Sequence, residues 1–267
     1  MNIRSLKLIY FSPTGTTASI VEAMADGLGY DVVEDVDITM PEARQEPLAA
    51  SADNLLVVAV PVYGGRVPFL LEPWLRSLQL DKTPVVCAVV FGNRAFEDAL
   101  IELSDIVTEQ GGVVLGGAAF IGEHSFSSEE YPVAVARPDE DDLRGAEGFG
   151  RKVRKAVDAL STIDEAVQPA IPGDHPYKER KPRGPVDFIN VGDECVMCGL
   201  CAEQCPVGAI DEEDFKRTDP EKCIMCCACI KVCPEYARTT KPGSPVEGFA
   251  KWLTENCGER KEPAYFF

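Results

Sequence analysis

Cysteines are the residues with the most specific chemistry in this sequence. Of the eleven cysteines, nine lie between positions 195 and 233, in the runs CVMCGLCAEQCP (195–206) and CIMCCACIKVCP (223–234). Both runs follow the pattern C-x2-C-x2-C-x3-C-P, and they start 28 residues apart. Two-residue gaps allow three thiolates to surround one iron–sulfur cubane, whereas the fourth cysteine lies on the next turn and points away. The spacing therefore predicts two [4Fe–4S] clusters.

The fourth cysteine of each run is expected to serve the cluster of the other run. A structural zinc site would need only isolated C-x2-C pairs, and it would leave the third and fourth cysteines of each run unexplained. Residues 187–240 resemble the bacterial two-cluster ferredoxins over their whole length. The predicted ligands are Cys195, Cys198, Cys201 and Cys233 for the first cluster, and Cys223, Cys226, Cys229 and Cys205 for the second cluster.

Three cysteines fall outside this ligand set. Cys227 follows a predicted ligand directly, and we interpret it as a small buried or half-exposed neighbour whose thiol could hydrogen-bond toward a cluster or be oxidised in air. Cys87 lies in an apolar run and is expected to pack in a core. Cys257 is expected to be a surface thiol.

A second candidate site lies near the start of the chain, in the stretch FSPTGTT at positions 11–17. It separates a predicted strand from a predicted helix, where backbone N–H groups and the helix dipole favour an anion. The stretch has four hydroxyl side chains and one glycine but no basic residue, and it lacks the Gly-Lys of a nucleotide P-loop. This composition favours a phosphate monoester over a triphosphate. The alternative is an ordinary helix cap, although four hydroxyls exceed what one cap needs.

Apolar runs and helical patterns alternate over the first 160 residues, and 45% of all residues are hydrophobic, enough for a packed core. Five strands alternating with helices predict an α/β fold with a doubly wound parallel sheet, which binds ligands beyond the carboxyl ends of its strands. The predicted strands are 5–11, 31–38, 54–60, 84–91 and 113–121, and the predicted helices are 16–28, 68–80, 95–110 and 139–160.

Residues 3–160 resemble the flavodoxin family, because FSPTGTT is similar to that family's FMN-phosphate loop. The resemblance implies that Ser12, Thr14, Gly15, Thr16 and Thr17 bind the phosphate. It also implies that the loop after the third strand packs on the isoalloxazine ring, with Tyr63 as the stacking side chain. The residues implied in that loop are Pro61, Val62, Tyr63, Gly64 and Gly65.

The loop after the fourth strand is the second implied flavin contact, and it departs from the family pattern. Flavodoxins often have Gly-x-Gly-Asp and a later tyrosine here, whereas this chain has Gly-Asn-Arg and a phenylalanine. Arg94 either raises the flavin potential by its charge or lies on the surface. The residues implied in this loop are Phe91, Gly92, Asn93, Arg94 and Phe96.

The chain has two histidines. His124 follows the fifth predicted strand, so it is either a proton donor near the flavin or a loop residue with a structural hydrogen bond. His175 lies in a proline-rich stretch and is assigned no site.

The order of the segments resembles the flavodoxin–ferredoxin fusion proteins of anaerobic bacteria and archaea, often called ferrodoxins. The expected segments are a flavodoxin-like domain at 1–165, a proline-rich linker at 166–186, a two-cluster domain at 187–240 and a tail at 241–267. The resemblance implies an electron-transfer protein with one FMN and two [4Fe–4S] clusters. The linker permits electron exchange within one chain or across a homodimer.

Charge and hydropathy restrict the partners. The formal net charge is −18, which disfavours nucleic acid and anionic membranes. It suits either simple solubility or a redox partner with a basic docking surface, and the acidic run at 211–214 is a docking patch or a solvated loop. No apolar run is long enough to span a membrane, and the N-terminus does not read as a leader, so we expect a cytoplasmic protein.

Two other functions remain open from the sequence. One is an FMN-dependent reductase fed by its own clusters, with His124, Tyr63 and Arg94 near an unidentified small substrate. The other is a first domain that holds no flavin and serves only for docking. The absence of a nicotinamide fingerprint leaves the source of a hydride unassigned.

Overall fold

The first domain is built on a sheet of five parallel strands in the computed structural model, which describes residues 1–180 and 184–267. The central strands are apolar and fully buried because helices cover both faces of the sheet. The elements in chain order are β1 Ser5–Tyr10, α1 Thr16–Leu28, β2 Val33–Asp37, β3 Ala49–Ser51, β4 Asn54–Pro61, α2 Glu72–Leu75, β5 Gln79–Asp81, β6 Thr83–Phe91, α3 Ala99–Glu109, β7 Gly112–Ile121 and α4 Glu140–Ala159.

The parallel strands have the order β2-β1-β4-β6-β7. This is the flavodoxin-like order 2-1-3-4-5, so the predicted fold class is confirmed. α1 and α4 cover one face and pack closely, since a Cβ atom on Gly27 would lie 1.9 Å from the carbonyl oxygen of Glu147. The other face packs against α3 and the segment around Trp74. The carboxyl ends of all five strands therefore open at one edge.

The helix predicted over 68–80 is wrong. The chain forms a 3-10 turn at Phe69–Leu71, the short helix α2, and then β5, which pairs with β3 in a separate two-stranded sheet. Pro73 has no N–H to donate to an earlier turn, so a continuous helix through it is disfavoured. The helix predicted from position 95 begins at Ala99, because Asn93 and Glu97 adopt positive φ angles.

The second domain begins after residue 184 and contains two short helices and two short strands. Its elements are β8 Ile189–Val191, α5 Leu200–Glu203, α6 Ala228–Lys231 and β9 Arg238–Thr240. β8 and β9 pair antiparallel. Each of the two short helices begins inside one cysteine run, after a residue with positive φ (Gly199 or Cys227). The two runs thus have the same local conformation.

The segment predicted as a linker is bonded to the first domain over residues 166–180. The Asp98 carboxylate accepts hydrogen bonds from the backbone N–H groups of Asp174 (3.0 Å) and Lys178 (2.6 Å). His175 contacts Asp105 of α3 at 2.7 Å. This part of the segment therefore follows α3 instead of forming a free spacer, and residues 181–183 of the predicted linker lie outside the described residues.

The tail connects both domains. It forms α7 (Pro245–Asn256) and β10 (Ala264–Phe266). Val246 of α7 belongs to the core of the second domain. β10 pairs antiparallel with β7, so it adds a sixth strand that the sequence did not predict.

Glu102 of α3 is the centre of a buried ionic network. Its side chain is 1% exposed and accepts hydrogen bonds from the guanidinium groups of Arg66 (2.6 and 2.7 Å) and Arg180 (2.6 Å). It also accepts a hydrogen bond from the backbone N–H of Val67 (2.9 Å). One carboxylate therefore joins α3, the loop after β4 and the segment that leads to the second domain.

We expect Glu102→Ala to lower the free energy of unfolding by about 3–5 kcal/mol, because it leaves the partly buried Arg66 without a carboxylate partner and leaves Arg180 only its 3.5 Å contact with Glu72. Glu109→Ala is the matched control on the same helix, since Glu109 is exposed and pairs with Arg76. It should cost no more than about 1 kcal/mol. Urea denaturation followed by circular dichroism measures both values, and equal losses would show that the network carries no special stability.

Candidate functional site

The second domain covers the edge of the sheet where the carboxyl ends of the strands open. Arg44, after β2, donates to the carbonyl of Pro206 at 2.9 Å, beside the fourth cysteine of the first run. Glu123 follows β7, and its carboxylate accepts a hydrogen bond from Lys231 of α6 at 2.6 Å. The rings of Phe126 and Phe188 pack edge to face with centroids 6.4 Å apart. The ligand-binding edge of an α/β sheet and the cysteine domain therefore face each other within one chain.

The loop at 11–17 has the geometry of an anion site. Gly15 is the N-cap residue of α1 and has a φ of +83°. Because it is a glycine, it has no side chain that could cap the helix. Among the described residues, the N–H groups of Thr16 and Thr17 have no hydrogen-bond acceptor. A Cβ atom on Gly15 would meet no heavy atom within 4 Å. Donors are thus present at an open helix N-terminus.

Ser12 accounts for the part of the loop that does act as a cap. Its hydroxyl accepts a hydrogen bond from the N–H of Ala18 at 3.0 Å. Its own N–H donates to the Thr39 hydroxyl at 2.8 Å, which holds the loop against the segment after β2. The helix-cap alternative therefore explains one of the four hydroxyl side chains. Thr14 and Thr16 are half-buried, whereas Thr17 is buried.

The loop after β4 is a tight turn. The N–H of Val62 donates to the carbonyl of Val90 at 2.9 Å, which continues the register past Pro61. Tyr63 and Arg66 exchange two backbone hydrogen bonds around Gly64 and Gly65, which both have positive φ. A Cβ atom on Gly65 would lie 1.7 Å from the Glu97 carboxylate, so the loops after β4 and β6 are in direct contact.

Tyr63 belongs to this turn and lies near the second cysteine run. Burial raises the pKa of its hydroxyl well above the ordinary value, and the nearby thiols of Cys226 and Cys227 raise it further. Ile224, inside the second run, packs on the same core of the first domain as Tyr63. The proposed stacking residue is therefore a neighbour of the second cluster's predicted ligands.

The loop after β6 is held by the tail. Asn93 is buried with a φ of +59°, and its side-chain amide donates to the carbonyls of Cys257 (2.6 Å) and Glu259 (2.8 Å). The side-chain oxygen of Asn93 is buried and has no partner among the described residues. The ring of Phe96 packs on Phe91, with centroids 5.6 Å apart. This loop therefore keeps one unsatisfied acceptor in addition to its aromatic pair.

Arg94 is paired within its own loop. Its guanidinium donates to the Glu97 carboxylate at 2.8 Å, and this hydrogen bond raises the pKa of Arg94. The same interaction lowers the pKa of Glu97, which also pairs with Lys178. Because its charge is compensated, Arg94 would influence a flavin less than an unpaired cation would.

His124 is held in a structural setting. Burial lowers its pKa to about 4, and the charges of Arg94 and Lys231 act in the same direction. Its Nδ1 accepts a hydrogen bond from the N–H of Phe126 at 3.0 Å, so the neutral ring carries its proton on Nε2. A Cβ atom on Gly92 would lie 2.4 Å from the ring. At neutral pH this side chain is an uncharged packing group and not an imidazolium acid.

The first predicted ligand set lines a single cavity of the second domain. Its walls include Phe215 and Arg238 together with Cys195, Cys198, Cys201 and Cys233. The fold therefore brings the fourth cysteine of the second run to the first three cysteines of the first run. This is the arrangement that the spacing predicts for one cluster.

The second predicted set is also assembled. Cys205 is near enough to Cys223, Cys226 and Cys229 to raise the pKa of each thiol by its charge. Burial is the larger cause, and it raises the pKa of Cys226 to about 12 and that of Cys229 to about 11. Such thiols deprotonate when metal binds. The ligation itself stays a prediction.

The remaining cysteines have separate settings. Cys227 is buried, with a φ of +60°, and its thiol lies 3.8 Å from the carbonyl oxygen of Met225, within hydrogen-bonding distance for sulfur. Cys87 is fully buried within β6. Cys257 is half-buried at the end of α7, where its carbonyl contacts Asn93.

Comparison with known proteins identifies the cysteine domain. The model of the 4Fe-4S binding domain family matches residues 192–211 and 217–239. A ferredoxin of Megasphaera elsdenii is 58% identical over 26 residues, which are 10% of this chain and 48% of that ferredoxin. The match thus spans about half the length of that relative. The predicted iron–sulfur domain is confirmed by the family model.

Several flavodoxin structures are similar to the first domain. A flavodoxin from the domain Archaea is 15% identical, with 58% of this chain and 99% of that chain covered and a TM-score of 0.40. Flavodoxin 1 of Bacillus cereus is also 15% identical, with coverages of 59% and 99% and a TM-score of 0.41. The flavodoxin of Streptococcus pneumoniae TIGR4 is 20% identical, with coverages of 57% and 99% and a TM-score of 0.38.

The flavodoxin-like fold of the first domain follows from its own strand order. The chain thus combines a flavodoxin-like domain with a 4Fe-4S binding domain, a pairing that supports a role in electron transfer. Among residues 1–180 and 184–267, no helix has the length and apolar character needed to cross a membrane.

The residues that join the domains were not predicted from the sequence. Arg44, Lys231 and Phe249 each make contacts across the interface, the last with the rings of His124 and Phe126. Their sequence neighbourhoods have no motif, and they become neighbours only through the fold. The aromatic content of the tail was the one available signal.

The crossed ligand sets predict an unusual result for paired substitutions. Cys205→Ser with Cys223→Ser removes two ligands of one predicted cluster, so about four irons per chain should remain. Cys195→Ser with Cys205→Ser removes one ligand from each cluster and should leave few irons or none. Iron and sulfide analysis after anaerobic reconstitution measures both variants. If each run instead held its own cluster, the two outcomes would be exchanged.

The pKa of His124 predicts a pH dependence of stability. Its folded pKa of about 4 lies below the ordinary value of 6.5, so the unfolded chain binds the proton first as the pH falls. The contribution of His124 is therefore present above pH 6.5 and is lost towards pH 4. Between pH 7 and pH 5, the wild-type protein should lose about 2 kcal/mol more unfolding free energy than His124→Gln. Identical pH profiles in urea denaturation would contradict the assignment.

Proposed function

We propose that this protein transfers electrons between one FMN in its first domain, two [4Fe–4S] clusters in its second domain and an external redox partner. When bound, the flavin takes up one or two electrons and each cluster takes up one. The observation that carries the proposal is the position of the second cysteine run, whose Ile224 packs on the same core of the first domain as Tyr63. A flavin on the loops after β1, β4 and β6 would be next to one cluster.

The donor set of the first domain fits FMN. Neutral hydroxyl and N–H donors at the N-terminus of α1 suit its phosphate. The buried side-chain oxygen of Asn93 is an acceptor without a partner, and the ring system of a flavin has an N–H to offer. Gly64 and Gly65 bring backbone to the same edge without side-chain bulk. These residues would bind and orient the cofactor.

The positions of the cysteine sets indicate the order of the centres. The second set includes the buried Cys226 and Cys229 and lies against the first domain. The first set is closer to solvent, because Cys198 is exposed and the neighbouring side chains of Val196, Met197 and Tyr236 are exposed as well. We infer that the partner exchanges electrons through the first cluster, and that a basic surface on the partner complements the acidic chain.

The reductase alternative relies on His124 and Arg94, whose contacts favour other roles. His124 is uncharged at neutral pH and packs among aromatic rings, and Arg94 is paired with Glu97. Neither contact supports proton delivery to a substrate. The electron carrier is therefore the function that the arrangement favours.

An anaerobic reductive titration tests the proposal, with iron, sulfide and flavin measured on the same sample. We expect about eight irons and one FMN per chain. The double variant Thr14→Val with Thr16→Val should bind FMN at least about tenfold more weakly, because it removes two hydroxyl donors, while its iron content stays unchanged. Ser19→Ala, which removes an exposed hydroxyl bonded to the Gly15 carbonyl, is the control. Eight irons without any flavin would mean that the loop serves only as a helix cap.

The rate of electron exchange distinguishes transfer within a chain from transfer between chains. After flash reduction of the flavin, cluster reduction should follow first-order kinetics with a rate constant independent of protein concentration. This result follows from the contact between the Tyr63 turn and the second run in a single chain. A rate proportional to protein concentration would overturn the intramolecular route.

A further inference from the structure

Arg238 is a buried cation in the second domain that the proposed function does not yet use. It is the first residue of β9 and is 2% exposed. Its guanidinium donates to the Thr218 hydroxyl at 3.1 Å and to the carbonyl of Phe215. Its side chain also lines the cavity formed by the first ligand set. Arg238 is therefore fixed in position beside the predicted first cluster.

The charge of Arg238 lacks a carboxylate partner. In the part of the chain that the structure describes, no carboxylate oxygen lies within 4.0 Å of its guanidinium nitrogens. This contrasts with the partly buried Arg66 and the buried Arg137, which pair with Glu102 and Asp142. Burying an uncompensated cation costs several kcal/mol. Among the described side chains near Arg238, only the cysteines could therefore provide a negative charge that compensates the guanidinium.

The cysteines near Arg238 belong to both predicted ligand sets. Cys201 of the first set lines the same cavity as the Arg238 side chain. β9, which begins at Arg238, packs against α6, and α6 contains Cys229 of the second set. Arg238 therefore lies where the two groups of sulfur ligands meet.

We propose that Arg238 is a shared electrostatic bridge between the two clusters, which raises the reduction potential of both and reduces their mutual repulsion. Each cluster gains one negative charge on one-electron reduction, and no bond is made or broken. A fixed cation near both sets stabilises that added charge, with little screening because the site is buried. The inference rests on the proposed ligation of two clusters.

Three substitutions separate charge from packing. Arg238→Gln keeps a hydrogen-bond donor and removes the charge, Arg238→Met keeps only the apolar stem, and Arg238→Lys keeps a positive charge. Arg217→Gln is the matched control, because Arg217 lies in the same domain with a side chain that is 75% exposed. Each variant is purified without oxygen, and both cluster potentials are measured by redox titration followed by electron paramagnetic resonance.

We expect both potentials to shift to more negative values in the Gln and Met variants, and to shift less in the Lys variant. Arg217→Gln should leave both unchanged. A shift of only one cluster, or no shift at full iron content, would overturn the bridge. If the Gln and Met variants lose iron and the Lys variant keeps it, the positive charge is needed beside the clusters, as proposed. If all three variants lose iron, Arg238 has only a structural role and the proposal is overturned. If the wild-type protein itself holds far fewer than about eight irons per chain, the proposed pair of clusters is refuted instead.

Discussion

The parallel arrangement of the five central strands is the constraint on which the rest of the structure depends. Because every strand runs the same way, the loops that carry the hydroxyls, Tyr63, Asn93 and His124 all emerge at one edge of the sheet. The cysteine domain contacts that edge through Pro206 and Lys231. The relation between the two candidate cofactor sites is therefore a consequence of strand direction, reinforced by the contacts of Arg44 and Lys231.

Charge is distributed differently in the two domains. In the first domain, the buried Arg137 pairs with Asp142 and the partly buried Arg66 pairs with Glu102. In the second domain, Arg238 bonds to the Thr218 hydroxyl and the Phe215 carbonyl and lines the cavity of the first cysteine set. This difference is expected if the first domain folds around a weakly charged ring system and the second folds around anionic inorganic centres.

The features that the sequence could predict are those with local causes. The cysteine spacing, the hydroxyl loop and the apolar runs of β4 and β6 each depend on neighbours in the chain, and they predicted the ligand candidates and the sheet. The failures had causes beyond the local pattern. Apolar spacing favoured a helix over 68–80, but Pro73 and the pairing of β5 with β3 determined the outcome. The strand β10, the docking of residues 166–180 and the compensation of Arg94 by Glu97 all depend on tertiary contacts.

The tail gives the second domain a further attachment. The chain enters that domain after a segment bonded to α3, and it returns through α7 to end as a strand of the first domain's sheet. A domain attached at both ends cannot move freely on a flexible linker. Separating it from the first domain would break the hydrogen bonds between β10 and β7. The distance between the flavin loops and the second cysteine run is thus set by folding. The rate of electron exchange across this interface should consequently be insensitive to solvent viscosity. A carrier domain that must diffuse between donor and acceptor would instead slow down as viscosity rises.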